Sequence, residues 1–215
     1  MPAFVPDISV MLAFAAASIV LAITPGPDMA LFISRTVNYG RAHGVASVFG
    51  AITGLLVHTS LAAFGISLLL STAPTAFFVL KVVGALYLLW LAIQAVRQGG
   101  GITLLGKSKR QPSVRQSYLT GVGINLTNPK IILFFVTFLP QFVSSTDPNA
   151  AGKLLFLGGE FLAVSIPIVL GIVMIAEWLA NVLTSSIKAQ RALNWSFAAV
   201  FAGFAIAIFA IEGRR

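Results

Sequence analysis

Residues 8 to 33 are almost wholly apolar, and the run is interrupted once, by Thr24-Pro25-Gly26-Pro27-Asp28. In lipid a spanning backbone must satisfy its own amides and carbonyls, which for a run of this length means a helix. Pro25 and Pro27 lack amide protons, so they withhold hydrogen bonds from the carbonyls of Leu21 and Ile23, and their rings clash with the preceding turn. Gly26 adds backbone freedom. The helix is expected to break here, with Asp28 just past the break. An Asp within hydrocarbon costs at least ~2.5 kcal/mol on insertion scales, so another part of the chain has to offset it.

Five more apolar segments follow, at about 45–70, 75–96, 118–143, 154–182 and 193–211. Each is near the ~20 residues that a helix needs to cross ~30 Å of hydrocarbon. The chain is 58% hydrophobic and 9% charged, with a mean hydropathy of +0.95, whereas a soluble domain carries roughly 25% charge. These features predict an all-α polytopic membrane protein of six transmembrane helices in one domain over 1–215. Three spans fall within 8–97, a basic cytoplasmic loop within 98–117, and three more spans within 118–212.

The net charge of +8 would suit nucleic acid, but it is divided among the loops. Nine Lys and Arg fall in loops on one side and three on the other, while Lys81 and Lys130 lie inside spans. The positive-inside rule then places the 97–117 loop in the cytoplasm and both termini outside, in a multi-pass bacterial inner-membrane protein with no nucleic-acid partner. A signal peptide is not expected, because no Lys or Arg precedes Arg35 and the first apolar run outlasts any cleavage site. The absence of Cys rules out disulfides and thiolate metal sites. The Gly99–Ser117 loop reads as a connector that sets topology, with contact to anionic headgroups as the alternative.

A second break carries the functional argument. Pro27-Asp28-Met29-Ala30-Leu31-Phe32-Ile33 and Pro129-Lys130-Ile131-Ile132-Leu133-Phe134-Phe135 share one pattern: proline, charge, two apolar residues, Leu-Phe, apolar. Three spans separate the copies, so they cross the membrane in opposite directions. Paired interrupted helices in an inverted repeat point to a transporter's binding site. Asn128 is a good N-cap with Pro129 at the first helical position, and Thr24-Pro25 reads as a similar pair. Each second half-helix would then aim free amides at the centre, which suits a carboxylate. Lys130 is the expected carboxylate partner. Asp28, with freed carbonyls such as Leu21, Ile23 or Asn125, is the expected ammonium partner. If Asp28 and Lys130 share a layer, each also offsets the other's desolvation. The competing reading makes the prolines structural kinks and the two charges a bundle-fixing pair.

Other residues carry weaker signals. Ala46, Gly50, Gly54 and His58 lie on one helix face at four-residue spacing, where small residues admit a neighbouring helix. His58 is either a relay or substrate contact, or the donor of one interhelical hydrogen bond. Lys81 can snorkel to the interface, and Tyr87 and Trp90 either pack or sit in an aromatic belt. Glu160, after Gly158-Gly159, is an outer-vestibule residue or a titrating group. With Asp28 it is a candidate for proton coupling.

At these residues the chain resembles the lysine/homoserine exporter (LysE/RhtB) family. The resemblance lies in Thr24-Pro25-Gly26-Pro27-Asp28, Gly50 and Gly54, and Leu80-Lys81 with Gly84-Ala85-Leu86-Tyr87-Leu88. It continues in Asn125-Leu126-Thr127-Asn128-Pro129-Lys130 through Phe134-Phe135, and in Leu139-Pro140-Gln141-Phe142. It implies six membrane helices and efflux of amino acids or close derivatives, such as homoserine, threonine, lysine or homoserine lactone type solutes, driven by an ion or proton gradient. Where the family often has Asn or another small polar residue after Pro-Gly-Pro, this chain has Asp28, so lysine specificity does not follow.

The resulting expectation is a secondary exporter, not an enzyme. Its substrate site comprises Thr24, Pro25, Gly26, Pro27, Asp28, Asn125, Asn128, Pro129 and Lys130, with Gly50, Gly54, His58 and Gln141 in supporting roles. It needs no cofactor and no metal. Its partners are an amino-acid-like solute and the bilayer, and the sequence leaves homo-oligomerisation open. The chain has no HExxH, no GxSxG and no clustered carboxylates that would mark an enzyme. A passive channel and an exporter of metal ions or another small solute are the alternatives.

Overall fold

The computed structural model of the chain describes residues 3–97, 111–144 and 147–186, and beyond them 188, 191–192, 195–196, 198–200, 202–203 and 206. The expected span at 193–211 falls mostly outside the described residues. So do the side chain of Lys81 and residues 98–110 of the basic loop.

The described secondary structure is helical. α1 (Ile8–Ile23) stops at the first break and α2 (Pro27–Tyr39) resumes after it, bent by 50°. α6 (Val114–Thr127) and α7 (Pro129–Leu133), which continues through a π-helical turn at Phe134–Phe138 and a 3₁₀ turn at Leu139–Phe142, bend by 49° at the second break. In both places a proline occupies the first helical position, where its missing amide costs nothing. α3 (Arg41–Leu61) runs on through a π-helical turn at Ala62–Ile66 into α4 (Ser67–Thr72). α5 (Pro74–Arg97) follows, and α8 (Ala150–Met174) leads into the short α9 (Ala176–Ser185).

The stretches Arg41–Leu69 and Ala150–Met174 are each long and apolar enough to cross a membrane, and each bent pair qualifies as one further span. Large apolar side chains such as Leu12, Phe49, Phe64, Leu68 and Trp178 stand exposed on the outside, as they do where lipid replaces water. The molecule is a multi-pass membrane protein.

Three boundaries differ from the sequence reading. The connection after the first span is not a loop over 34–44: α2 runs to Tyr39 and α3 starts at Arg41. Gly40, at φ 91°, makes the whole turn, a conformation that a side chain disfavours. The basic loop ends earlier than residue 117, because α6 begins at Val114. Its first turn is closed by a capping box between Ser113 and Gln116. The expected span over 154–182 is interrupted at Ile175, between α8 and α9.

Packing centres on α3 against α6, and small residues set the spacing. A Cβ on Gly50 would lie 2.0 Å from the Tyr118 carbonyl oxygen, and one on Gly121 would lie 2.2 Å from the Ser47 carbonyl oxygen. The backbones therefore touch, as membrane helices do without a hydrophobic drive between them. Phe14, Phe134, Phe135, Phe138, Phe142 and Phe161 form an aromatic core with ring centroids 5.0–5.7 Å apart. That core holds the second break against α1 and α8.

Candidate substrate site at the crossed helix breaks

The two breaks meet in the interior and complete each other. A helix leaves its last carbonyls and first amides without partners, and a break inside a span leaves both sets in the hydrocarbon. Lys130 starts α7, where its own helix dipole disfavours a cation. Its side chain instead crosses to the end of α1, where Nζ donates to the carbonyls of Thr24 at 2.7 Å and Leu21 at 3.2 Å. A cation there is favoured, and it supplies donors to carbonyls at the end of α1 where the helix stops. Gly26 leaves room for this crossing, since a Cβ there would lie 3.3 Å from Lys130 Cε.

Asp28 makes the reciprocal arrangement. It lies in the first turn of α2, where a carboxylate suits the dipole. Its Oδ2 accepts from Asn125 Nδ2 at 2.8 Å and Asn128 Nδ2 at 3.0 Å, both at the end of α6. Asn128 does two jobs, because its Oδ1 also accepts from the Lys130 amide at 3.1 Å and caps α7. His58 Nε2 donates to the Asn125 carbonyl at 3.3 Å, and its ring stacks on Phe135 at 5.7 Å. Asp28, Asn125, Asn128, Lys130 and His58 are all buried.

Three details differ from the sequence reading. Asp28 and Lys130 are not in direct ion-pair contact: each is held by neutral groups of the opposite break. Thr24 ends α1 instead of starting α2, for which Gly26 is the N-cap, and its hydroxyl bonds back to the Val20 carbonyl. The Leu21 and Asn125 carbonyls already have partners within the protein.

What stays unpartnered is more informative. Asp28 Oδ1 and Asn125 Oδ1 are both buried without a hydrogen-bond partner. Both residues line a cavity of about 50 Å³ that Lys130 also borders, room for only a few waters. Of the three donors on the Lys130 ammonium, two serve carbonyls. Apart from Ser165, the rest of the wall is apolar and includes Met29, Phe32, Leu55 and Phe161. A buried polar site with both surplus acceptors and a surplus donor suits a solute that carries an ammonium and a carboxylate.

A family model described as LysE type translocator matches residues 19–212. The chain belongs to this family. Translocators of this kind carry solutes and are not enzymes. The chain is 33% identical over 189 residues to the homoserine/homoserine lactone efflux protein of Salmonella typhimurium, covering 88% of this chain and 90% of that one. It is 28% identical over 192 residues to the leucine efflux protein of Enterobacter sp., covering 86% and 88%. An uncharacterized membrane protein of Vibrio cholerae is 32% identical, over 92% of this chain and 95% of that one. No solved structure matches.

Within this LysE type translocator, the expected site residues separate by place. Thr24 through Asp28, Asn125, Asn128, Pro129 and Lys130 are gathered at the crossed breaks. Gly54 supports them, since a Cβ there would lie 2.4 Å from Asn125 Oδ1. Gln141 is elsewhere, donating to the Thr137 carbonyl at 2.9 Å. Glu160 is half-buried on α8 and does not line the cavity. The sequence reading missed Phe32 and Phe161 as wall residues. Their apolar character made them indistinguishable from core, and only their position beside Asp28 separates them.

Proposed function

We propose that this translocator exports amino acids or close derivatives from the cytoplasm, and that the solute binds between the crossed breaks. Its ammonium takes Asp28 Oδ1 and Asn125 Oδ1, its carboxylate takes the remaining Lys130 donor, and its side chain faces the apolar wall. The observation that carries this reading is the pair of buried, unpartnered oxygens beside a partly used ammonium in one cavity. That wall offers no acidic group besides Asp28, so solutes of no net charge such as homoserine or leucine fit better than lysine, while a lactone, lacking the carboxylate, would offer Lys130 only its ring carbonyl. The efflux proteins named above support the same class. At about 50 Å³ the cavity is too small for an amino acid, and one half must move against the other to admit a solute.

Asp28 is the proposed coupling group. Protonated, its Oδ1 hydroxyl would donate to Asn125 Oδ1 and satisfy both oxygens at once. An incoming ammonium would satisfy the same two oxygens, so proton and solute exclude each other, which is what antiport requires. The surrounding architecture is proposed as six spans in two inverted three-helix halves, in the bacterial inner membrane, with the 97–117 loop in the cytoplasm and both termini outside.

The test is counterflow and pH-driven flux of labelled homoserine and leucine in vesicles reconstituted with purified protein. Wild type should accumulate solute against its gradient when a proton gradient is imposed. Asp28→Asn and Lys130→Met should insert normally and lose at least ~90% of flux, as expected when a buried charged contact is removed. Wild-type rates in both variants would refute the site, and flux indifferent to a collapsed proton gradient would refute the coupling.

A further inference from the structure

We propose that the hollow beside Arg35 is the loading vestibule of this translocator, and that Arg35 reads the substrate's carboxylate before it reaches Lys130. The inference rests on the export reading above and adds to it an outer anion site and a gate. Arg35, Ser113 and the α6 residues Gln116, Leu119 and Thr120 line an open hollow of about 1000 Å³. That is large enough for a hydrated amino acid, whereas the inner cavity is not.

The state of Arg35 points to an anion. Among the described residues no carboxylate lies within ion-pair distance of it; the ion pair found there joins Lys153 and Asp147. Its Nη2 makes one long hydrogen bond to Thr120 Oγ1 at 3.4 Å, and its guanidinium lies 5.5 Å from the Tyr39 ring centroid. Its Nε is buried and has no partner. A guanidinium steadied by a ring face and one hydroxyl keeps most of its donors, and their planar fork matches a carboxylate in two parallel bonds. A charge that only fixed topology would be expected in water, with all its donors hydrated.

The vestibule and the inner cavity share two helices. Asp28, Phe32 and Arg35 follow one face of α2 at steps of four and three residues. Gln116 and Thr120 of α6 line the hollow, and Asn125 of α6 lines the inner cavity. Seven residues of helix separate Arg35 from Asp28, roughly 10 Å. Phe32 comes between them along α2: it borders the inner cavity, is 2% exposed, and packs with Val48, Ala51 and Val173. In this proposal Phe32 gates the passage from the Arg35 hollow to the inner cavity, since it is the cavity-lining residue of α2 that lies between Asp28 and Arg35 in the helix.

The test uses purified wild type, Arg35→Gln and Arg35→Lys in vesicles made only of phosphatidylcholine, with homoserine and leucine presented on the Arg35 side. Arg35→Gln should raise KM about tenfold with the maximal rate within about twofold, the loss expected for a charge-assisted contact. Arg35→Lys should recover part of that loss, since it keeps the charge without the fork. Phe32→Ala should speed exchange and weaken its coupling to the imposed gradient. An unchanged KM in Arg35→Gln, or a fall in maximal rate at constant KM, would overturn the proposal. So would an effect of Arg35→Gln that appears only when anionic lipid is added, because the group then holds a headgroup phosphate. If Arg35→Gln fails to insert, the KM of Arg35→Lys decides alone, and a wild-type value refutes the vestibule. Wild type that carries neither solute would refute the export reading itself, a different result from wild type that carries them with Arg35 variants of unaltered KM.

Discussion

Asn128 shows how much one side chain at the breaks is asked to do. It caps α7 through Oδ1 and holds Asp28 through Nδ2. Asn128→Ala should lower stability by about 1–3 kcal/mol, combining a lost cap with a lost bond to a buried charged group, and should slow transport. Asn128→Asp keeps the cap but sets a second carboxylate against Asp28. It should retain more stability than Asn128→Ala at low pH and less at neutral pH, which thermal unfolding across pH will show. Outside the membrane, the hydrogen bond from Lys153 holds the Asp147 carboxyl below its ordinary value. A depressed folded value stabilises above the unfolded value of about 3.9, and that contribution is lost as pH falls through the folded value. The pair is solvent-screened, so Lys153→Ala should cost less than about 1 kcal/mol.

Among the elements, the α3–α6 contact is the most exacting. Gly54→Ala would press on Asn125 Oδ1 at 2.4 Å, and Gly50→Ala would press on the Tyr118 carbonyl at 2.0 Å. Overpacking of this kind costs roughly 1–3 kcal/mol. The Gly50 variant should be the less stable of the two, since backbone cannot rotate away. The Gly54 variant should lose transport out of proportion to stability, because its clash falls on a site residue. Gly123→Ala on α6 meets nothing within 4 Å and should be neutral or stabilise by about 0.5–1 kcal/mol. Melting temperatures in one detergent compare all three. The breaks themselves were legible in the sequence, because proline removes a donor wherever it stands. Their exact starts were not: nothing local made Pro27 rather than Pro25 the first residue of α2.

For the molecule as a whole, the proposed orientation is directly testable because the chain contains no Cys. A single Ser113→Cys should resist a membrane-impermeant maleimide in intact cells and react in opened ones, while Arg214→Cys should react in both. The opposite labelling would invert the topology and move the Arg35 hollow to the outer face.

By itself the sequence determined that this is a helical membrane protein, where its two interrupted helices break, and which charges lie at the breaks. Those follow from local causes, namely apolar length, missing amide protons and the cost of a charge in lipid. The tertiary structure alone decided what each charge touches. Asp28 and Lys130 read as a pair of opposite charges, yet each serves groups of the other break, because the packing brings positions 102 residues apart in the chain to one place. Which oxygens remain without partners, and that Arg35 meets no carboxylate among the described residues, depends on the same long-range packing, and no local pattern records it.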